Sequence, residues 1–321
     1  MSEVTATPLL GEITVSGAKL SKPVTALVTN ASISDTIEGV TVLSITVIDN
    51  GLALLASGMF ATNSKVQWKD QSLVVKHLTV SPGENGHGQL EVECRPSVVA
   101  GLEKLRGPKV FAKTDAAGAI RLLAGGLKVV AQSFRTRTNI SVNGPSEGQL
   151  AESYWEAFAR WAEESGAVLF EANGTIFFGK PSWLIAQIPT GEPIVWDGPA
   201  RTNRHVLELP TCTMSDDLVA DPVTVTVSMH AELASKYSAG MLVAFSGVPG
   251  FAGDYWVTSV SGPLSTTEPW TVSLAVPTDP KPTEPTGAAK TATKKTAKPS
   301  FPSSSDEKAT VIETLRSKIG A

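Results

Sequence analysis

The histidines are the side chains of this sequence best suited to metal binding or to proton transfer near neutral pH. There are four, His77, His87, His205 and His230, and each stands apart from the others. Zinc ligands recur at short and regular spacings along a chain. None of these histidines has a second histidine or a cysteine at such a spacing, so the sequence predicts no metal site.

Paired carboxylates are a second kind of chemistry, because glycosidases place one acid on either side of the bond they cleave. Asp216, Asp217 and Asp221 come closest to such a pair, but they fall in a loop between apolar segments. We interpret them as a solvated turn. Glu163 and Glu164 end a predicted helix, where we expect them on an exposed face.

Motifs for a nucleophile or for phosphate binding are missing as well. The chain contains no Gly-x-Ser-x-Gly elbow and no phosphate-binding loop. We therefore predict no catalytic residue, no cofactor and no enzymatic activity.

Cysteine use, charge and hydropathy narrow the class of protein further. Cys94 and Cys212 are too few and too far apart for a disulfide framework, and we expect buried free thiols. A net charge of −4 argues against a nucleic-acid-binding protein. The first residues lack the pattern of a signal peptide, and no apolar run is long enough to span a membrane. The sequence thus predicts synthesis in a cytoplasm.

The first part of the chain, residues 1–95, has the texture of β-structure. Residues 41–48 and 72–80 are rich in β-branched side chains, and residues 89–94 alternate polar with apolar. Turn residues separate these runs. We predict a small β-domain, either a barrel or a sandwich.

Residues 96–189 are predicted to form an α+β domain with two short helices. Ser97 is a candidate cap for a helix that stops at Gly107-Pro108, and Thr114-Asp115 is a candidate cap for one that ends at Gly125-Gly126. These helices lead into the clearest local pattern of the sequence.

That pattern is a long helix followed by a hairpin. The helix is predicted to open at residues 145–147, to repeat apolar residues at Leu150, Tyr154, Phe158 and Trp161, and to end at Gly166. Asn173-Gly174 then separates two apolar runs, which is the strongest short-range signal for a β-hairpin.

Residues 190–277 again have the sequence pattern of β-strands, with strand-like runs at 222–228, 241–245, 254–260 and 270–276. Residues 278–305 are rich in Pro, Lys and Thr and are predicted to be a flexible linker. Residues 306–321 can form a short amphipathic helix, whose candidate docking face is Val311, Ile312, Leu315 and Ile319.

The predicted fold class is therefore mainly β with an α+β middle. Two small β-domains, which the resemblance given below implies to be β-barrel-like, are joined by the helix-plus-hairpin region and followed by a flexible linker and a short C-terminal helix. The predicted divisions are 1–95, 96–189, 190–277, 278–305 and 306–321.

Three segments carry a resemblance to a known group of proteins. Residues 152–181, with an aromatic helix, an acidic end, a hairpin and a closing Phe-Gly-x-Pro, resemble the middle of tailed-phage tail hub or baseplate hub proteins. That group includes the late control protein D family and minor tail proteins of actinobacterial phages. Residues 52–60 are similar to the edge of the group's first barrel, and residues 238–260 to strands of its last barrel.

The resemblance covers roughly residues 4–277 and implies a structural virion protein that acts in host cell entry. It implies a trimeric ring at the tail tip that joins the tail tube to spike or fibre proteins, with a distal tail protein and a tape measure protein as further partners. Alternatives are a distal tail ring subunit, a fibre-attachment subunit, a cell-wall-degrading enzyme and a carbohydrate-binding tail protein.

Overall fold

A computed structural model describes residues 9–83, 87–146, 150–198, 206–215, 223–264 and 267–282. His205, the acids Asp216, Asp217 and Asp221, and the predicted helix 306–321 with its docking face lie outside the described residues, as does most of the predicted linker.

The strands, in chain order, are β1 Ile13–Val15, β2 Ala18–Lys19, β3 Val28–Thr36, β4 Val42–Asp49, β5 Lys65–Trp68, β6 Gln71–Pro82, β7 Gly88–Pro96, β8 Lys109–Thr114, β9 Lys128–Ala131, β10 Arg137–Val142, β11 Val168–Ala172, β12 Thr175–Gly179, β13 Ile194–Val195, β14 Thr211–Met214, β15 Val223–Met229, β16 Leu242–Ser246, β17 Gly253–Pro263 and β18 Trp270–Ala275.

The helices are α1 Lys22–Thr25, α2 Ala53–Ser57, α3 Ser97–Lys104, α4 Ala116–Ala124, α5 Tyr154–Ser165, α6 Pro181–Leu184 and α7 Ala231–Ala234. Short 3-10 turns cover Leu9–Glu12 and Asn50–Leu52. The mainly β fold class is confirmed. No helix of the described residues is long and apolar enough to cross a membrane.

One large sheet contains strands from both ends of the chain. Its order over the described residues is β14-β15-β18-β17-β3-β4-β7-β6-β5-β1-β2, with β16 on β17 and β13 on β16. The joint between the N-terminal and C-terminal strands is the antiparallel pair β3–β17, in which Thr36 faces Ser259 and Ser32 faces Pro263. The two regions predicted as separate barrel-like domains are thus continuous through backbone hydrogen bonds, and their division at the predicted boundaries stays a prediction.

Alternation along the strands explains why this sheet curls around a core. In β4 every second side chain is buried, including Leu43, Ile45 and Val47. The same period recurs in β15, where Val225 and Val227 are buried. Side chains on alternate positions point to one face, so all of these strands bury the same side. The resulting apolar cluster draws on both ends of the chain.

The middle of the chain has its own apolar cluster around α5. Helix α5 buries Tyr154, Phe158 and Trp161 on one face, as predicted from their spacing. The helix packs beside β11, which pairs with β12, and β12 runs parallel to β9. The Asn173-Gly174 hairpin is confirmed, and both residues have positive φ, at 50° and 76°.

The predicted start of the long helix is wrong. Helix α5 begins at Tyr154, and Leu150, placed on its apolar face by the sequence pattern, is 80% exposed. The physical reason is a capping box at a later position. The Ser153 hydroxyl accepts from the Glu156 backbone N–H at 3.2 Å, and the Glu156 carboxylate accepts from the Ser153 N–H at 2.6 Å.

The prediction that both acids at the end of this helix lie on an exposed face is wrong for Glu164. Its carboxylate accepts from Arg160 Nη1 at 3.0 Å and also pairs with Arg137. Arg160 in turn binds both carboxylate oxygens of Glu152, at 2.8 and 2.9 Å. This bidentate network fastens α5 to β10 and to the segment that precedes the helix.

A substitution in the capping box tests whether this motif stabilises the N-terminus of α5. Replacing Ser153 with Ala removes the acceptor for the Glu156 N–H, and the free energy of unfolding should fall by about 1 kcal/mol. Urea denaturation followed by circular dichroism measures this change. Ser165→Ala at the other end of the helix is the control and should leave stability within error. An unchanged midpoint for Ser153→Ala would show that the cap does not support the helix.

Candidate functional site

Three distant parts of the chain meet beside the β3–β17 joint. Asp35 lies on β3, Glu171 lies on β11 next to the hairpin turn, and Ala239 lies in the segment between α7 and β16. We call this meeting point the junction. Its apolar part contains Phe170, which stacks on Phe177 with ring centroids 5.1 Å apart and meets Trp256 edge-on at 6.4 Å.

Gly240 allows the hairpin to approach this closely. Its φ is 87°, and a Cβ placed there would lie 2.6 Å from Cζ of Phe170 and 2.9 Å from Cδ1 of Ile188. Any side chain would therefore push the hairpin away from the large sheet, and the left-handed backbone would disfavour it as well.

The Asp35 carboxylate accepts the hydrogen bonds that link separate segments at the junction. Asp35 is only 6% exposed, and its carboxylate accepts from the Thr41 hydroxyl at 3.1 Å and from the Ala239 backbone N–H at 3.0 Å. The second bond joins β3 to a residue 204 positions later in the chain. Burial raises the pKa of Asp35, and these hydrogen bonds partly offset that rise.

Glu171 is the second buried acid, at 2% exposure. One carboxylate oxygen, Oε1, accepts from the Gly174 N–H across the hairpin turn at 2.6 Å, while Oε2 has no hydrogen-bond partner among the described residues. Burial raises the pKa of Glu171 to about 7, the Gly174 bond lowers it, and the charge of nearby Asp35 raises it. Two acids this close and this buried disfavour simultaneous ionisation.

This pair could be mistaken for an acid–base site. A catalytic pair needs both carboxyl groups to reach one substrate. Asp35 lines the cavity next to the junction, whereas Glu171 is not among the residues that line it. The pair is therefore placed to hold the junction together rather than to act on a bound molecule.

The sequence did not reveal this pair, because the two acids are 136 positions apart. Glu171 alone carried a signal, as a charged residue in an apolar run before Asn-Gly.

A cavity of about 420 Å³ opens beside Asp35, and we call it the junction cavity. It is bounded by the β5–β6 turn, the tip of the hairpin, the residues after α7, and side chains of β3, β17 and β18. Trp68 and Trp270 stack in its wall with ring centroids 6.0 Å apart. This volume is within the range of small-molecule sites.

The β5–β6 turn holds a charged side chain against this wall. Lys69 has a φ of 50°, which is unusual for a residue other than glycine. Its ammonium lies 5.1 Å from the ring centroid of Trp68 and donates to the Ser235 hydroxyl at 2.5 Å. Burial lowers the pKa of Lys69, against the raising effect of the nearby acids Glu12, Asp70 and Glu232. Strained backbone conformations cluster at binding and active sites, so the strain at Lys69 favours a binding role for this cavity.

The residues that the sequence offered for metal binding or thiol chemistry lie in separate parts of the described structure. His77 and His87 are exposed, and His230 occupies the N-cap position of α7 without a capping bond from its side chain. Across the described residues no group of three or more metal-ligating side chains occurs. Cys94 is a buried free thiol as expected, and burial raises its pKa to about 12. Cys212 is only partly buried, contrary to expectation, because β14 has a single strand neighbour among the described residues.

The chain after β18 is attached to the middle region. The Asp279 carboxylate accepts from the Ser182 N–H at 3.0 Å and from the Ser182 hydroxyl at 2.9 Å, and Lys180 lies 3.8 Å away. Pro280 and Pro282 run so close to Gly166 that a Cβ there would lie 2.6 Å from the Pro280 carbonyl oxygen. Residues 278–282, predicted as the start of the linker, are thus packed on the end of α5 and the start of α6.

No protein-family model matches the chain, and no curated protein matches it significantly. Solved structures do match. The 43 kDa tail protein of prophage MuSo2 from Shewanella oneidensis gives a TM-score of 0.57 at 10% identity, over 83% of this chain and 96% of that one. A tail protein from Neisseria meningitidis MC58 gives 0.54 at 12% identity, over 82% and 95%.

A third match is the E. coli c3393 protein, described as a component of the type VI secretion system with structural similarity to the T4 bacteriophage tail proteins gp27 and gp5. Its TM-score is 0.57 at 14% identity, over 85% of this chain and 79% of that one. At these identities the likeness concerns the fold. The chain has the fold of these tail proteins.

The raised pKa of Glu171 predicts how stability depends on pH. Because the folded state holds this proton more tightly, its contribution is complete below pH 4.5 and is lost as pH rises through about 7. The loss should be about 3 kcal/mol at most. Glu171→Gln, which stays neutral, should avoid this loss and become the more stable form above pH 7.

Urea denaturation of both proteins between pH 4.5 and 8.5 measures this, and their difference isolates Glu171 together with its coupling to Asp35. Glu38→Gln in the exposed turn after β3 is the matched control, and its curve should run parallel to that of the parent chain. Parallel curves for Glu171→Gln as well would mean that Glu171 is not held protonated.

Proposed function

We propose that the chain is a non-enzymatic structural subunit of a phage tail tip, where it acts as the central hub. Three copies form a ring that joins the tail tube to the spike or fibre proteins. The observation that carries this proposal is the shared fold, which extends over nearly the full length of two tail proteins, one of them from a prophage, and over most of this chain.

The architecture is suited to a ring wall. A single sheet that includes both ends of the chain is stiff, because its strands are tied together by continuous backbone pairing. Among the described residues β14 and β2 each pair with one strand only. Such edges can pair with the strands of a neighbouring subunit, and ring interfaces can be large without any active site.

The partners of such a hub would be a distal tail protein above it, the tape measure protein, and spike or fibre proteins below it. Its location would be the tail tip of the virion after synthesis in the host cytoplasm. We propose that the helix at residues 306–321 docks through Val311, Ile312, Leu315 and Ile319 on one of these neighbouring proteins.

The mass of the purified chain in solution tests the hub. Light scattering should give about three times the 33.6 kDa of the single chain, and electron microscopy of particles should place a three-fold ring below the tail tube. A six-fold ring would move the chain to the distal tail alternative. A stable monomer without a place in any tail would refute the structural role.

Two truncations test the proposed docking helix. A chain that ends at Pro282 keeps the Asp279 contacts and should retain its melting temperature while losing attachment to the neighbouring tail protein. A chain that ends at Val276 also loses those contacts and should melt several degrees lower, since about 1 kcal/mol shifts the midpoint by roughly 2–4 °C in a protein of this size. Undiminished attachment of the chain that ends at Pro282, measured by co-purification, would rule out the helix as the docking element.

A further inference from the structure

The junction cavity has buried polar groups without partners. Trp68 is 4% exposed, and its Nε1–H finds no acceptor among the described residues. Gln71 Oε1, also buried, finds no donor there. Both residues line the cavity, and they are direct cross-strand neighbours on either side of the β5–β6 turn. Cross-strand neighbours lie on the same face of a sheet, so one small group could satisfy this donor and this acceptor together.

The hairpin tip and the turn add further polar groups to the same cavity. Asn173 uses its amide nitrogen on the Ser238 hydroxyl at 3.2 Å, which leaves its carbonyl oxygen as an acceptor. Lys69 uses one of its three N–H bonds on Ser235. The lining therefore contains both donors and acceptors, as a ligand that both gives and receives hydrogen bonds requires.

Charge at the cavity excludes a strongly ionic ligand. The lining contains two basic side chains, Lys69 and Lys236, and two acidic side chains, Asp35 and Asp70. An anion would meet two carboxyl groups, and a cation would meet two ammonium groups. A neutral ligand meets neither penalty, and a hydroxyl group is a neutral group that donates and accepts through a single oxygen atom.

The volume of the cavity and its apolar lining restrict the class of ligand further. A cavity of about 420 Å³ is too small for a helix, whose diameter is about 10–12 Å. Its lining also offers apolar contact from Trp68, Trp270 and Met241. A sugar ring presents a C–H face to such a surface and hydroxyl groups at its rim.

We propose that the junction cavity binds a neutral sugar as a single pyranose ring, with one hydroxyl accepting from Trp68 and donating to Gln71. The proposal rests on the lining of the cavity and not on the hub role, so either can fail without the other. At the tip of a tail, such a site would add recognition of a glycan to a structural subunit.

Saturation-transfer NMR on the full chain with glucose, galactose and N-acetylglucosamine tests the site. At least one sugar should bind with a Kd on the order of millimolar, as expected of a ligand of about a dozen non-hydrogen atoms. Gln71→Leu removes the acceptor and leaves an apolar side chain that is one carbon shorter, and it should weaken binding roughly tenfold. Gln187→Leu, at an exposed position outside the cavity lining, is the matched control and should bind like the parent chain.

A second variant guards against a folding defect in the first. Trp68→Phe keeps an aromatic ring against Trp270 but removes the indole N–H together with one of the two fused rings, and it should also weaken binding while circular dichroism stays native. The proposal is overturned if none of the three sugars transfers saturation, or if both variants bind as well as the parent. Binding of N-acetylglycinamide without any sugar would overturn it as well, in favour of a peptide group.

Discussion

The antiparallel pairing of β3 with β17 is the contact on which the rest of the architecture depends. It brings residues 32–36 against residues 259–263 and converts two stretches of strands at opposite ends of the chain into one sheet. Closing so long a loop costs conformational entropy, although this cost grows only slowly with length. The apolar cluster shared by both ends offsets it, because neither set of strands covers its inner face alone.

The middle region is positioned by that joint. The β11–β12 hairpin presses Phe170 onto Gly240, and the Ala239 N–H is held by Asp35 of β3. A buried acid is costly unless its oxygens are hydrogen-bonded, so this carboxylate stabilises only the arrangement in which Thr41 and Ala239 both reach it. The same groups that fix the hairpin also shape the junction cavity. Structural support and a potential binding site therefore come from one set of contacts.

A structural role and a recognition role place different demands on these residues. A ring wall needs continuous pairing and a filled core, which the large sheet and its apolar cluster supply. A binding site needs space and unpaired polar groups, and both are found where the turn after β5 carries a strained residue at Lys69. The strained Lys69 and the unpaired atoms of Trp68 and Gln71 thus lie together beside the place where three parts of the chain meet.

Local patterns in the sequence determined the mainly β class, most strands, the core face of α5 and the hairpin, because alternation, helical spacing and Asn-Gly act over a few residues. They misplaced the start of α5, where the Ser153–Glu156 pair outweighed the apolar pattern. The continuity of the sheet, the meeting of Asp35 with Glu171 and the cavity beside Trp68 were decided only by the tertiary structure. Each depends on residues more than a hundred positions apart, and burial, which gives these side chains their unusual properties, exists only once the chain has folded.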